Sequence, residues 1–122
     1  MVKVWVVDDD NSIRWVLEKA LSQGGFNVES FATGELILQR LEHEQPEAIF
    51  SDIRMPNMDG MQLLQNIQLQ YPDLPVVIMT AHSDLDSAVN AFQHGAFEYL
   101  PKPFDIDDAV SLAKKAVEHS KN

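Results

Sequence analysis

The stretch VKVWVVDDDNSIRWVLEKALSQGGFNVESF, Val2 to Phe31, changes its hydrophobic period twice. It opens on an apolar run interrupted only at Lys3, meets three carboxylates at Asp8, Asp9 and Asp10, and then repeats at helical spacing. Ile13, Val16, Leu17, Ala20 and Leu21 fall on one helical face, and Gly24–Gly25 stop that helix. FNVESF then alternates as a half-buried strand does. A strand, a helix and a second strand in that order make a crossover unit, which joins parallel strands.

The same alternation continues outward. EAIFS, PVVIMT and FEYL read as three more strands. Leu36, Ile37 and Leu41 mark a second helix before Pro46, and Leu63, Leu64 and Ile67 a third that ends near Pro72. Leu85, Ala88, Val89 and Phe92 mark a fourth closed by Gly95. Ile106, Val110, Ala113 and Val117 mark a fifth, with Asp105 as its N-cap. The first and fourth strands are continuously apolar, as central parallel strands are. The alternating second and the short fifth suit the two edges. Right-handed crossovers then predict an α/β, flavodoxin-like, doubly wound five-stranded sheet in the order 2-1-3-4-5.

The 122 residues suit one domain, residues 1–122, and 45% hydrophobic against 23% charged residues is a folding composition. A net charge of −10 opposes nucleic acid and anionic membranes as partners. With no cysteine, disulfides, thiolate metal sites and a cysteine nucleophile are excluded. MVKVWVV carries neither a cationic leader nor a small-residue cleavage site, so a cytoplasmic domain is expected.

Why should an apolar strand run into three like charges? Two carboxylates about 4 Å apart repel by roughly 4 kcal/mol at an effective dielectric near 20. In open parallel sheets ligands bind beyond the carboxyl ends of the strands. Asp8, Asp9 and Asp10 end the first strand, Asp52 the third and Thr80 the fourth, and Lys102 follows the fifth. Clustered carboxylate oxygens suit a hard cation such as Mg²⁺, and an aspartate can attack phosphorus. A cation, Lys102 and the Thr80 hydroxyl would neutralise charge on a transferring phosphoryl group. These residues therefore point to phosphoryl chemistry on an aspartate.

VVDDDNSIR, SDIRMPNMDG, MTAHSD and GAFEYLPKPFD together resemble the receiver domains of bacterial two-component response regulators, over essentially the whole chain. SDIRMP, MTAHSDLD and YLPKPFDID look nearest to receivers of σ54-dependent transcription activators in nitrogen regulation. The resemblance implies that Asp52 accepts a phosphoryl group from a histidine kinase. It implies Mg²⁺ ligation by Asp9, by Asp8 directly or through water, by Asp52 and by the Arg54 backbone carbonyl. Lys102 would contact the phosphate, the Lys102–Pro103 bond would be cis, and Thr80 and Tyr99 would form the switch pair. A receiver is no enzyme beyond self-phosphorylation and self-dephosphorylation. Implied partners are a sensor histidine kinase, output domains in a parent protein and a phosphorylation-dependent homodimer. ATPase or DNA-binding activity would belong to that parent protein.

One position departs from the pattern: Asn57 stands where a glycine is usual. Asn tolerates left-handed backbone, so the turn is expected to survive. The element expected to respond to phosphorylation is SDLDSAVNAFQHGAFEYL, the fourth helix and fifth strand. It starts beside Thr80, contains Tyr99 and has few bulky anchors. Inverting a 1:99 population needs about 5.5 kcal/mol. Charge-assisted bonds to Thr80 and Lys102, about 1.5–3 kcal/mol each, are of that order.

Asp10 reads as a helix cap. Trp5 and Trp15 read as packing residues and His82 as a surface residue. Asp84, Asp86, Asp107 and Asp108 sit in first helical turns without chemistry. The main rival is a Mg²⁺-dependent phosphatase of the haloacid-dehalogenase type, with Asp8 as nucleophile and Asp10 as acid/base, which leaves Asp52 without a task. A calcium loop fails at Ile13 and Lys19, where glycine and glutamate are needed. An acidic first loop repels a flavin phosphate, and the glycine-lysine loop of P-loop enzymes is missing.

Overall fold

A computed structural model describes residues 2–81 and 84–120. His82 lies outside them. Strands and helices alternate without exception as β1 (Lys3–Val7), α1 (Asn11–Gln23), β2 (Asn27–Phe31), α2 (Gly34–Leu41), β3 (Ala48–Asp52), α3 (Gly60–Gln70), β4 (Val76–Ala81), α4 (Leu85–Gln93), β5 (Glu98–Lys102) and α5 (Ile106–Ser120). The five strands form one parallel sheet in the order β2-β1-β3-β4-β5, with the two expected strands at its edges.

Side chains leave a strand alternately on its two faces, and the core divides accordingly. Val4 and Val6 pack with Leu17 and Leu21 of α1 and with Ala109, Ala113, Ala116 and Val117 of α5. Trp5 and Val7 point the other way, into a layer with Ile37 and Leu41 of α2, Leu63, Leu64 and Ile67 of α3, and Ala91 of α4. Trp5 is a packing residue, as expected, only 1% exposed. No described helix is long and apolar enough to cross a membrane.

Several local expectations hold. Asp10 caps α1, accepting the Ser12 N–H at 2.8 Å. The Asp105 carbonyl accepts the Asp108 and Ala109 N–H groups at the head of α5. Asn57 takes φ of 68°, the left-handed conformation expected of it, and Lys102–Pro103 is cis.

Other expectations are corrected. Trp15 is 59% exposed, because two residues along a helix turn it away from the Leu17 face; its ring lies under the Lys19 ammonium, 5.0 Å from the centroid. Leu85, Val89 and Phe92 are exposed too, and α4 buries Ala88 and Ala91 instead. The apolar stripe therefore locates the helix but not its inner face. In the same way Leu36 and Ile106 lie outside the core. Lys102 is the last residue of β5 rather than the one after it, and Thr80 is the penultimate residue of β4.

Candidate functional site

Strand register does most of the positioning. Val7 pairs with Ser51, so Asp8 and Asp52 lie one step further along adjacent strands. Asp52 pairs with Met79, which puts Thr80 one step beyond it, and Ala81 pairs with Lys102. An in-register parallel ladder thus delivers two carboxylates, a hydroxyl and an ammonium to one rim of the sheet. Asp8, Asp52 and Thr80 are buried there, at 0%, 8% and 2% exposure.

The contacts are specific. Lys102 Nζ donates to Asp8 Oδ2 at 2.8 Å and to Asp52 Oδ1 at 3.2 Å. Asp8 Oδ1 accepts the Asp10 N–H at 2.9 Å. One oxygen each from Asp8, Asp9 and Asp52 fall within 4.8 Å of one another, with Asp9 the exposed member. Three carboxylates are a hard, all-oxygen donor set, which fits a hard divalent cation better than a soft transition metal.

Burial and charge perturb the group between them. Burial pushes the Asp52 carboxyl above the ordinary aspartate range and repulsion from Asp8 adds to this; Lys102 pulls it down without cancelling them. At Lys102 burial alone would lower the ammonium. The hydrogen bond and charge of Asp8, followed by Asp52, outweigh burial and raise it above its usual value. Both groups are thus displaced upward, Asp52 by burial and then Asp8, Lys102 by the hydrogen bond and charge of Asp8 and then Asp52.

The chain after Asp52 is shaped to keep that residue in place. A Cβ on Gly60 would lie 2.3 Å from the Asp52 carbonyl oxygen and 2.6 Å from Ile53 Cα, so only glycine lets α3 start this close to β3. The Gly60 N–H donates to the Ile53 carbonyl at 2.9 Å, and Asp59 with Gln62 forms a reciprocal capping box. The Asp59-x-x-Gln62 pattern was available in the sequence as the signal of that cap.

Arg54 reaches away from the cluster. Its side chain is 75% exposed, and Nε donates to Asp84 Oδ2 at 2.9 Å, which ties the loop after β3 to the start of α4. Asp84, read as a bystander in its helical turn, is the partner in that ion pair. Tyr99 is half-buried and meets Phe92 of α4 edge-on, with ring centroids 5.7 Å apart.

A family profile described as the response regulator receiver domain matches residues 4–114. The DNA-binding transcriptional regulator NtrC of Proteus hauseri is 60% identical over 116 residues, covering 95% of this chain and 24% of that protein. Its Escherichia coli counterpart is 59% identical over the same length and share of this chain, and 25% of its own. The chain thus spans about a quarter of the curated relatives it matches. The solution structure of the apo receiver domain of nitrogen regulatory protein C superposes with a TM-score of 0.89 at 56% identity, covering 99% of this chain and 98% of that one. NtrX from Brucella abortus, solved with ADP, gives 0.94 at 33% identity, with 99% of this chain and 28% of that one covered. Asp52 lies beside Asp8 and Asp10 caps α1; with the receiver profile matching residues 4–114 and relatives about 60% identical over 95% of its length, the chain belongs to the response regulator receiver domains, the phosphoacceptor switches of two-component systems.

Proposed function

We propose that Asp52 is the phosphoacceptor, that a sensor histidine kinase is the donor, and that the output is an attached transcription activator in nitrogen regulation. The observation that carries this reading is Lys102 bridging Asp8 and Asp52 while oxygens of Asp8, Asp9 and Asp52 converge within 4.8 Å. The regulatory assignment draws on the NtrC relatives.

An Asp52 oxygen attacks phosphorus, the P–N bond of the donor phosphohistidine breaks, and its imidazole leaves with the electron pair. Water later cleaves the acyl phosphate, so the chain's own chemistry is limited to gaining and losing this group. Asp8, Asp9, Asp52 and the Arg54 carbonyl would hold Mg²⁺, which supplies positive charge against the phosphoryl oxygens. Lys102 neutralises a further share of that charge, and Thr80 donates a hydrogen bond to the acquired group. The added charge of about −1.5 to −2 is read through Thr80 and Tyr99 into α4 and β5, where Tyr99 already touches Phe92.

Acetyl phosphate with Mg²⁺, followed by borohydride trapping and peptide mapping, tests the assignment. Label on Asp52, lost in Asp52→Asn, is the expected result. Label on Asp8 would restore the phosphatase alternative.

A further inference from the structure

The cation ligands Asp8 and Asp9 sit on a short loop, and a loop must be held at each peptide plane if its carboxylates are to converge. The plane before Asp8 is fixed by β2, where the Asp8 N–H donates to the Phe31 carbonyl at 3.2 Å. The plane after Asp9 is fixed by the Asp10 N–H on Asp8 Oδ1 at 2.9 Å. Between them lies the Asp8–Asp9 plane, whose carbonyl accepts from Arg14 Nη1. Arg14 Nη2 donates in turn to Asn11 Oδ1. One guanidinium therefore straps the loop after β1 to the first residue of α1.

We propose that Arg14 is a positioning residue for the cation site. It acts through the Asp8–Asp9 peptide plane, which sets the direction of both Cα–Cβ bonds. The guanidinium addresses a backbone carbonyl rather than a carboxylate, so it is not a second counter-ion like Lys102. Its planar fork reaches two acceptors in different directions, which a lysine ammonium cannot reproduce. This inference rests on reading Asp8, Asp9 and Asp52 as the cation ligands.

The sign of the effect separates positioning from charge. Arg14 carries a positive charge on the loop that holds Asp8 and Asp9, so removing it electrostatically favours a bound cation. Positioning predicts the reverse. The test is an NMR-monitored Mg²⁺ titration of the wild type, Arg14→Ala, Arg14→Lys and Asn11→Ala, with thermal unfolding in EDTA as a check on the fold. Loss of a residue that orients metal ligands weakens binding by about tenfold or more. Arg14→Ala and Arg14→Lys should both show that weakening, and Asn11→Ala, which leaves the carbonyl contact in place, a smaller one. Should Arg14→Ala unfold, Arg14→Lys and Asn11→Ala carry the same comparison. Equal or tighter Mg²⁺ binding by folded Arg14 variants overturns the proposal and leaves the site assignment standing. A wild type whose Asp8, Asp9 and Asp52 resonances ignore Mg²⁺ overturns both.

Discussion

Lys102 donates to two carboxylates at once, and one of them, Asp8, has no exposed surface. Truncating it to alanine leaves a buried charge uncompensated, at a cost of about 3–5 kcal/mol. Urea unfolding of Lys102→Ala in EDTA should show that loss, and added Mg²⁺ should recover more stability in the variant than in the wild type. Asp52 gives the opposite sign. Its carboxyl is raised by burial and then by Asp8, so the folded state binds its proton more tightly than the unfolded chain does. Stability contributed by this group therefore falls as pH rises above the ordinary aspartate value of about 3.9. Asp52→Asn removes that slope and should stabilise the metal-free protein at neutral pH, as thermal unfolding across a pH series would show. Gly60→Ala forces a methyl against the Asp52 backbone, and should destabilise by about 3 kcal/mol while slowing phosphorylation. Asp8, Asp9, Asp52, Thr80 and Lys102 were legible in the sequence because strand ends in a parallel sheet converge. Arg14 and the Arg54–Asp84 pair were not, because a side chain reaching a loop carbonyl or a distant carboxylate leaves no periodic trace.

At the level of elements, α4 is the least anchored helix. It turns only Ala88 and Ala91 inward, whereas α3 buries Leu63, Leu64 and Ile67 and α1 buries Leu17 and Leu21. Burying a leucine stabilises by about 1.5–3 kcal/mol, and α4 has none on its inner face. Local opening should therefore be easiest there. Native-state hydrogen exchange should give α4 amides weaker protection than those of α1 and α3; equal protection would remove the basis for treating α4 as the mobile element. The sequence located this helix but not its buried edge. Hydrophobicity favours Leu85, Val89 and Phe92, whereas close approach of a helix to the sheet selects the small Ala88 and Ala91. Strand order was legible for the converse reason: β1 and β4, apolar apart from Lys3 and Thr80, suit the interior of the sheet, and the mixed β2 suits an edge.

Across the whole molecule, the net charge of −10 and the carboxylate cluster at the sheet rim predict a fold that divalent cations stabilise. A ligand at a hundred times its Kd stabilises the folded state by about 2.7 kcal/mol, so saturating Mg²⁺ should raise the wild-type Tm and raise it less in Asp52→Asn. The sheet brings Asp52, Lys102 and Thr80 to one rim. It also carries Tyr99 on the same strand as Lys102, so the face proposed to switch is joined covalently to the carboxylate site. The most direct measurement is the phosphoryl occupancy of Asp52 as Mg²⁺ is titrated against a fixed concentration of acetyl phosphate, with amide shifts of α4 and β5 followed in the same samples. The account predicts that occupancy appears only with the divalent ion and that the α4 and β5 shifts rise in proportion to it. Phosphorylation of Asp52 at an undiminished rate in EDTA, or full occupancy with those amides unmoved, would contradict it.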